Sequence, residues 1–262
     1  MSQIVLGIRL TATATAGLQY SGNESTTLRR MLYWPTPFAI YPATYVFRVY
    51  PTAAKTVAGR LHWTTFFWGN NGAFSWGSGY ERSYYGGHPY PFPPQMWEIS
   101  ASANDYPPPS PYNVEVAWGQ WYTQVFRAWE PSANVRRHEF YFDWPDTDKL
   151  IVHEDASAPV TPPTPCICIG QAPDQNGVGA SSGQSWGGYW GYEEFKGIIR
   201  GMQFYDALLS LADCTSEIAS PGSARTPWYL NLNPTPDDVT DKSGSGHNPS
   251  WDGSDRPTLW TP

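Results

Sequence analysis

An all-β fold of many short strands is what this sequence predicts, and three observations predict it. Glycine and proline are frequent, at 24 and 26 of 262 residues, and so many breakers divide a chain into turns rather than long helices. Apolar residues alternate with period two in several short runs, and no sustained helical period appears. Aromatic residues reach 16% while charged residues stop at 15%, so there is apolar surface enough to pack a sandwich or barrel.

Taken in order, Ile4, Leu6 and Ile8 alternate and predict a first strand over 4–16. Residues 18–30 read as a polar loop, with turn chemistry at Ser21, Gly22 and Asn23. An aromatic cluster over 33–45 is broken by Pro35, Pro37 and Pro42, which suits an edge or a surface crossing, because proline cannot donate to a ladder. Strands are expected over 45–50 and 61–68, the second bulky on both faces and hence central. Residues 69–95 combine aromatics, glycines and prolines with few aliphatics, and read as a long functional or assembly loop.

Further strands are expected over 96–103, 114–118, 122–129, 139–144 and 149–153, with a stiff polyproline-like connection at 104–111. Residues 156–165 are a second proline-rich link, 166–170 a short apolar strand, and 172–192 a second loop rich in Gly and Trp. The strongest strand is 195–205. Strict alternation puts Ile198, Arg200, Met202 and Phe204 on one face, and Ile199, Gly201, Gln203 and Tyr205 on the other. Asp206 can then start a turn or cap the short apolar run Ala207, Leu208, Leu209 and Leu211, and Ser210 can cap whatever follows.

Composition also excludes. Net charge is −7 with no block of Lys or Arg, which argues against nucleic acid and acidic membranes as partners. No apolar run is long enough to insert in a membrane. The start, MSQIVLGIRLTATATAG, lacks a basic opening and carries Arg9 within its apolar run, so no signal peptide is expected and synthesis in the cytoplasm is. Three cysteines do not make a disulfide framework, and Cys166 and Cys168 beside Ile167 and Ile169 read as buried thiols.

The wording of several stretches is specific enough to compare. Phe195-x-Gly197-x-Ile199-x-x-Met202-x-Phe204-Tyr205-Asp206-x-x-Leu209-Ser210 resembles the closing strand of laminin G-like domains, within the concanavalin A-like lectin/glucanase superfamily. Residues 45–69, with Phe47 and Val49 followed by Pro51 and Thr52, are similar to that family's early strand pair, and 121–153 to its middle hairpin. The resemblance spans about 45–211 and implies a two-sheet antiparallel jelly-roll sandwich with long aromatic loops. The element Asp241-Lys242-Ser243-Gly244-Ser245-Gly246-His247 is also similar to one in that family, where it stands near the N-terminus. Here it closes the chain. The expected division is therefore a jelly-roll domain over 1–220, including an N-terminal strand, and a C-terminal arm or permuted closing segment over 221–262.

One branch of the resembled superfamily cleaves β-glucans with acids alternating along a strand, so that two carboxyl groups meet across the sugar. No such run occurs. Glu98 is followed by small polar residues, and Glu139 and Asp143 share a parity but lie roughly 13 Å apart along a strand, beyond the spacing retaining cleavage needs. No local nucleophile signature appears, and the five histidines are scattered. A hard cation such as Ca2+ is open: Asp143, Asp146 and Asp148 share one turn and Asp237, Asp238 and Asp241 another, either as oxygen ligands or simply as turn formers.

Glycan or partner binding rests on aromatic rings in the two long loops: Trp76, Tyr80, Tyr84, Tyr85 and Tyr90 in the first, Trp186, Tyr189, Trp190 and Tyr192 in the second. The same rings could instead pack on one another or on another subunit. Two functions follow. The first is a non-enzymatic structural or attachment protein, for instance a decoration or fibre component displayed on a virion, assembling with other protein subunits through proline-rich arms and aromatic loops. The alternative is a lectin-like module recognising a polysaccharide or cell-surface glycan.

Overall fold

The computed structural model describes residues 16–21, 30, 32–34, 42–52, 55–57, 60–62, 64–70, 75–81, 96–100, 113–115, 119–133, 135–148, 150–156, 167–170, 195–220, 230–232, 235–252 and 254–262, with backbone alone at 55–115, 136, 151, 153, 155–156, 167–168 and 230–232. Its strands in chain order are β1 (Gly17–Ser21), β2 (Leu32–Tyr33), β3 (Ala43–Pro51), β4 (Lys55–Val57), β5 (Arg60–His62), β6 (Thr64–Asn70), β7 (Ser75–Glu81), β8 (Met96–Ser100) and β9 (Asn113–Glu115). Then come β10 (Tyr122–Ser132), β11 (Val135–Tyr141), β12 (Leu150–Ala156), β13 (Ile167–Ile169), β14 (Lys196–Tyr205), helix α1 (Leu211–Ala219), β15 (Leu230–Leu232), β16 (Ser250–Trp251) and β17 (Thr258–Trp260).

One sheet runs β12, β11, β10, β3, β14, β1, β17, with β15 also paired to β14; the other runs β16, β2, β13, β6, β7, β8, β9. The pair β4–β5 stands apart. Every pairing among the described strands is antiparallel. The two-sheet antiparallel jelly-roll sandwich expected from the sequence is the observed fold.

Between the sheets lies an aromatic core. Strand β3 sends Tyr45, Phe47 and Val49 inward, β10 sends Phe126, β11 sends Phe140, and β14 sends Ile199, Met202 and Phe204, against Leu32, Trp34 and Ile169 from the other side. Phe204 is the junction: its ring centroid lies 5.0 Å from Trp34, 5.0 Å from Tyr45 and 5.5 Å from Phe47. Truncating such a ring costs about 3–5 kcal/mol, several times the worth of a surface ion pair.

The facing of β14 differs from simple alternation. Its register on β3 shifts between Arg200 and Met202, a β-bulge, and Gly201 there has φ 63°. Glycine takes that left-handed conformation without the Cβ penalty other residues meet. The extra residue reverses the phase. Met202 and Phe204 face the core together with Ile199, whereas Arg200 shares the outer face with Gln203 and Tyr205. Expecting Arg200 beside Met202 and Phe204 is thus corrected by one inserted residue.

Helix α1 covers part of that outer face. Ser210 caps it as expected, its Oγ accepting from the Asp213 N–H at 3.1 Å, and the apolar run grows into nine helical residues. Cys214 and Ile218 pack on Val46, Val125, Tyr141 and Tyr205. Beside them a buried polar set ties helix to sheet. Arg48 Nη1 donates to Gln203 Oε1 at 2.6 Å and Nη2 to the Ile218 carbonyl at 3.1 Å, while Gln203 Nε2 donates to the Glu217 carbonyl at 3.0 Å. These donors satisfy carbonyls that a helix C-terminus leaves without intrahelical partners. Tyr205 Oη donates to the fully buried Glu217 carboxylate at 2.9 Å.

Other boundaries moved. The expected strand over 4–16 lies, but for residue 16, outside the described residues, and β1 occupies the start of the expected loop 18–30. Only Leu18 and Tyr20 carry its buried face inward, too short a pattern to mark a strand alone. Within the expected loop 69–95, Ser75–Glu81 is a strand because β6 and β8 pair with it on both edges, which overrides its glycine-rich composition. Strand β11 starts at Val135 rather than 139, its early charged residues having hidden the alternation.

Residues 230–262 contribute β15 and β17 to one sheet and β16 to the other. The turn before β16 is organised by Asp241. Its carboxylate accepts from the Ser243 N–H and Oγ, both at 2.8 Å, and from the His247 N–H at 3.3 Å, while its own N–H donates to Asn248 Oδ1 at 2.8 Å. The His247 carbonyl then accepts from Trp34 Nε1 at 3.0 Å, and Val239 and Trp251 pack on the core.

Two outcomes follow. Asp241→Ala removes three acceptor bonds at a nearly buried carboxylate and lowers unfolding stability by about 1–3 kcal/mol in urea titration. Burial pushes the Cys214 thiol up to about 12, against the opposing pull of Arg127. In a Cys166→Ser/Cys168→Ser background, dithionitrobenzoate leaves it unmodified at pH 8 until urea unfolds the chain. Because the folded thiol titrates higher than the unfolded one, its contribution to stability is intact below about pH 9 and is lost as pH rises towards 12.

Candidate functional site

The outer face of the β12-to-β17 sheet has two ends, and they treat their arginines differently. Towards β12 the cations are neutralised. Arg127 Nη1 lies 2.6 Å from Glu139 Oε2 and its Nε donates to the Leu209 carbonyl at 3.1 Å. Arg137 reaches Glu139 Oε1 and Glu154 Oε2, each at 3.3 Å. Both guanidinium groups lie over the Trp129 ring, Arg127 at 5.3 Å and Arg137 at 5.5 Å from its centroid. This end is a closed ion-pair ladder across β10, β11 and β12.

Towards β17 the sheet presents rings and a cation that has no anion among the described residues. Tyr50 stands at the end of β3, and Trp121, just before β10, lies beside it with centroids 5.3 Å apart. Trp260 on β17 meets Trp121 edge to face at 5.2 Å. Arg200, aimed here by the Gly201 bulge, lays its guanidinium carbon 4.1 Å from the Trp121 ring and 5.5 Å from the Trp260 ring. All four side chains are half-buried. Among the described residues Arg200 has no hydrogen-bond or ion-pair partner, and its Nε is buried without one.

Glycine makes the approach possible. Gly17 pairs with Trp260, and a Cβ built on it would come within 2.7 Å of the Ile199 carbonyl oxygen and 3.1 Å of Arg200 Cβ. With no side chain there, the floor between Trp260 and Arg200 stays clear. Across the pair, Arg200 opposes Arg48. Burial draws the Arg48 guanidinium down to about 10; Tyr205 opposes this and the Arg200 charge adds to it. Burial also lowers Arg200 itself.

Trp76 and Tyr80 lie on β7, opposite Gly69 and Trp97. Tyr84, Tyr85, Tyr90, Trp186, Tyr189, Trp190 and Tyr192 lie outside the described residues. The Asp143, Asp146 and Asp148 turn is held by its own bonds: the Asp146 N–H donates to the Asp143 carbonyl at 2.7 Å, and the Asp148 N–H to Asp146 Oδ1 at 2.9 Å. Among the described residues no three His, Cys, Asp or Glu side chains are grouped to hold a metal. Of the two acids that share a parity, Glu139 is engaged by two arginines and Asp143 lies past the end of β11.

The Tyr50, Trp121, Arg200, Trp260 patch was not drawn from the sequence. One signal was present, a guanidinium at 200 inside a strand of bulky apolar residues. The rest is register, which joins positions 17, 50, 121, 200 and 260 and has no linear trace.

No family model matches the sequence, and no curated protein matches it. Among solved structures the chain is similar to a Bacteroides ovatus protein provisionally described as carbohydrate binding, with TM-score 0.54 and 13% identity over 94% of this chain and 60% of that one. It is also similar to the native heptameric SAP-like pentraxin of Limulus polyphemus, with TM-score 0.44 and 15% identity over 79% of this chain and 82% of that one. The Bacteroides likeness shows a shared fold, the antiparallel jelly-roll sandwich. This chain spans about three fifths of that relative's length.

The contrast between the two ends is measurable as stability. Glu139→Gln leaves Arg127 without its carboxylate and Arg137 with Glu154 alone, and costs about 2–3 kcal/mol in urea titration. Arg200→Gln breaks no hydrogen bond or ion pair and costs about 1 kcal/mol or less, the worth of its ring contacts.

Proposed function

We propose that the protein is a carbohydrate-binding module without catalytic activity, and that its site includes the outer-face patch of Tyr50, Trp121, Arg200 and Trp260. One observation carries this: two tryptophans and a tyrosine, half-exposed on the sheet, stand around a cation that has no hydrogen-bond or ion-pair partner among the described residues. Flat ring faces take the C–H side of a pyranose, and the polar edges of Trp and Tyr stay free for its hydroxyls. Strands hold such a constellation more rigidly than loops do.

The description of the Bacteroides relative as carbohydrate binding supports the same reading. The assembly role as a virion decoration or fibre component, drawn from the sequence, finds no support in these comparisons. Membership of the laminin G-like group within the concanavalin A-like superfamily is part of the proposal, supported by the shared sandwich and the motifs around 195–210 and 241–247.

A glycan array probed with the wild-type protein and with Trp121→Ala and Trp260→Ala tests it. Saturable binding by wild type, weakened at least about tenfold by each substitution, is expected, since losing a central ring costs more than about 1 kcal/mol. A blank array from folded wild type overturns the function. Binding that survives both substitutions moves the site off this patch.

A further inference from the structure

The carbohydrate-binding reading leaves one feature of the patch unused, and the following inference rests on that reading. Neutral sugars need rings and hydrogen-bonding groups, yet the centre of this patch is a full positive charge. The fold deals with its other large cations. Arg127 and Arg137 are paired with Glu139 and Glu154, and Arg48 is tied to Gln203 and the Ile218 carbonyl. Among the described residues Arg200 alone of these has neither carboxylate nor carbonyl; its Nε is buried without a partner, as are those of Arg48 and Arg137.

Its surroundings raise the cost. Arg48, directly opposite on β3, is held by Gln203 and the Ile218 carbonyl and by no carboxylate among the described residues, so two guanidinium-bearing residues oppose each other in a chain of net charge −7. A cation held half-buried beside a like charge is destabilising until an anion arrives. The bulge at Gly201 and the bare backbone at Gly17 both serve to bring that cation out between Trp121 and Trp260.

We propose that this patch selects saccharides that carry a carboxylate, the hexuronic-acid residues of an acidic polysaccharide, with Arg200 pairing the carboxylate and Trp121 and Trp260 taking the adjoining sugar. A guanidinium presents parallel N–H groups that match the two oxygens of a planar carboxylate, which a point charge such as lysine cannot do. A hexuronic acid fits the arrangement in one residue, because its carboxylate is attached directly to the pyranose whose C–H face stacks on a ring. Closing the charge between aromatic walls, partly out of water, strengthens the pair beyond a surface ion pair.

Isothermal titration against a panel of galacturonate, glucuronate and mannuronate oligosaccharides, each as free acid and as methyl ester, tests this. For at least one sugar the wild type is expected to bind the acid at least tenfold more tightly than the ester. Arg200→Gln abolishes that preference while retaining ester binding, Arg200→Lys restores only part of it, and Trp121→Ala weakens acid and ester alike. No acid preference across the panel, or a preference that survives Arg200→Gln, overturns the inference while neutral-glycan binding on the array keeps the broader reading intact. Failure to bind any glycan overturns both. Polyglutamate binding as tightly as the uronates overturns the sugar assignment and leaves a bare carboxylate site.

Discussion

The antiparallel pairing of β14 with β3 is the constraint on which the other elements depend. Both strands are buried on both faces for much of their length, which is unusual for antiparallel sheets and demands cover on each side. Inward, Phe204, Tyr45 and Phe47 make the ring junction that Trp34 completes from the far side. Outward, Arg48, Gln203 and Tyr205 hold α1 through its last carbonyls and Glu217. Strand β10 is added to β3, and the free edge of β14 is shared, β1 taking residues 196–199 and β15 residues 202–204. The division falls at the Gly201 bulge.

That bulge links the architecture to the proposed site. A sheet covered by a helix over its whole outer face would be stable and would bind nothing there. Here α1 covers Val46, Val125 and Tyr141, and Arg200, just before the phase change in β14, stands with Trp121 and Trp260 at the other end of the face. Local backbone irregularity of this kind re-aims one side chain without disturbing the ladder on either side. The cost is a cation held beside Arg48, and the fold tolerates it because the aromatic core supplies stability from a different face.

The two ends of the outer face show why fold alone does not assign function. Both contain arginine over tryptophan. At Trp129 the arginines are engaged by Glu139 and Glu154, so the assembly is a closed structural clasp. At Trp121 the guanidinium lies over the ring in the same way, and no anion stands beside it among the described residues. The difference lies in which acids register brings alongside.

Much of the architecture was legible in the chain. Alternation over 195–205, the turn at Asp206, the cap at Ser210 and the paired strands after 45 and 122 are local patterns, each set by side-chain spacing within a few residues. The aromatic-rich loops were legible as composition, and of their named rings only Trp76 and Tyr80 lie among the described residues, on β7. Gly17, Tyr50, Trp121, Arg200 and Trp260 lie far apart in sequence and become neighbours only through the hydrogen-bond register of β17, β1, β14, β3 and β10. The facing of Arg200 turned on a single inserted residue, whose effect depends on the partner strand. The sequence by itself therefore determined an antiparallel sandwich, because burial of a period-two face is a local property. Tertiary structure decided where the charged aromatic patch stands, because register and bulges are properties of strand pairs.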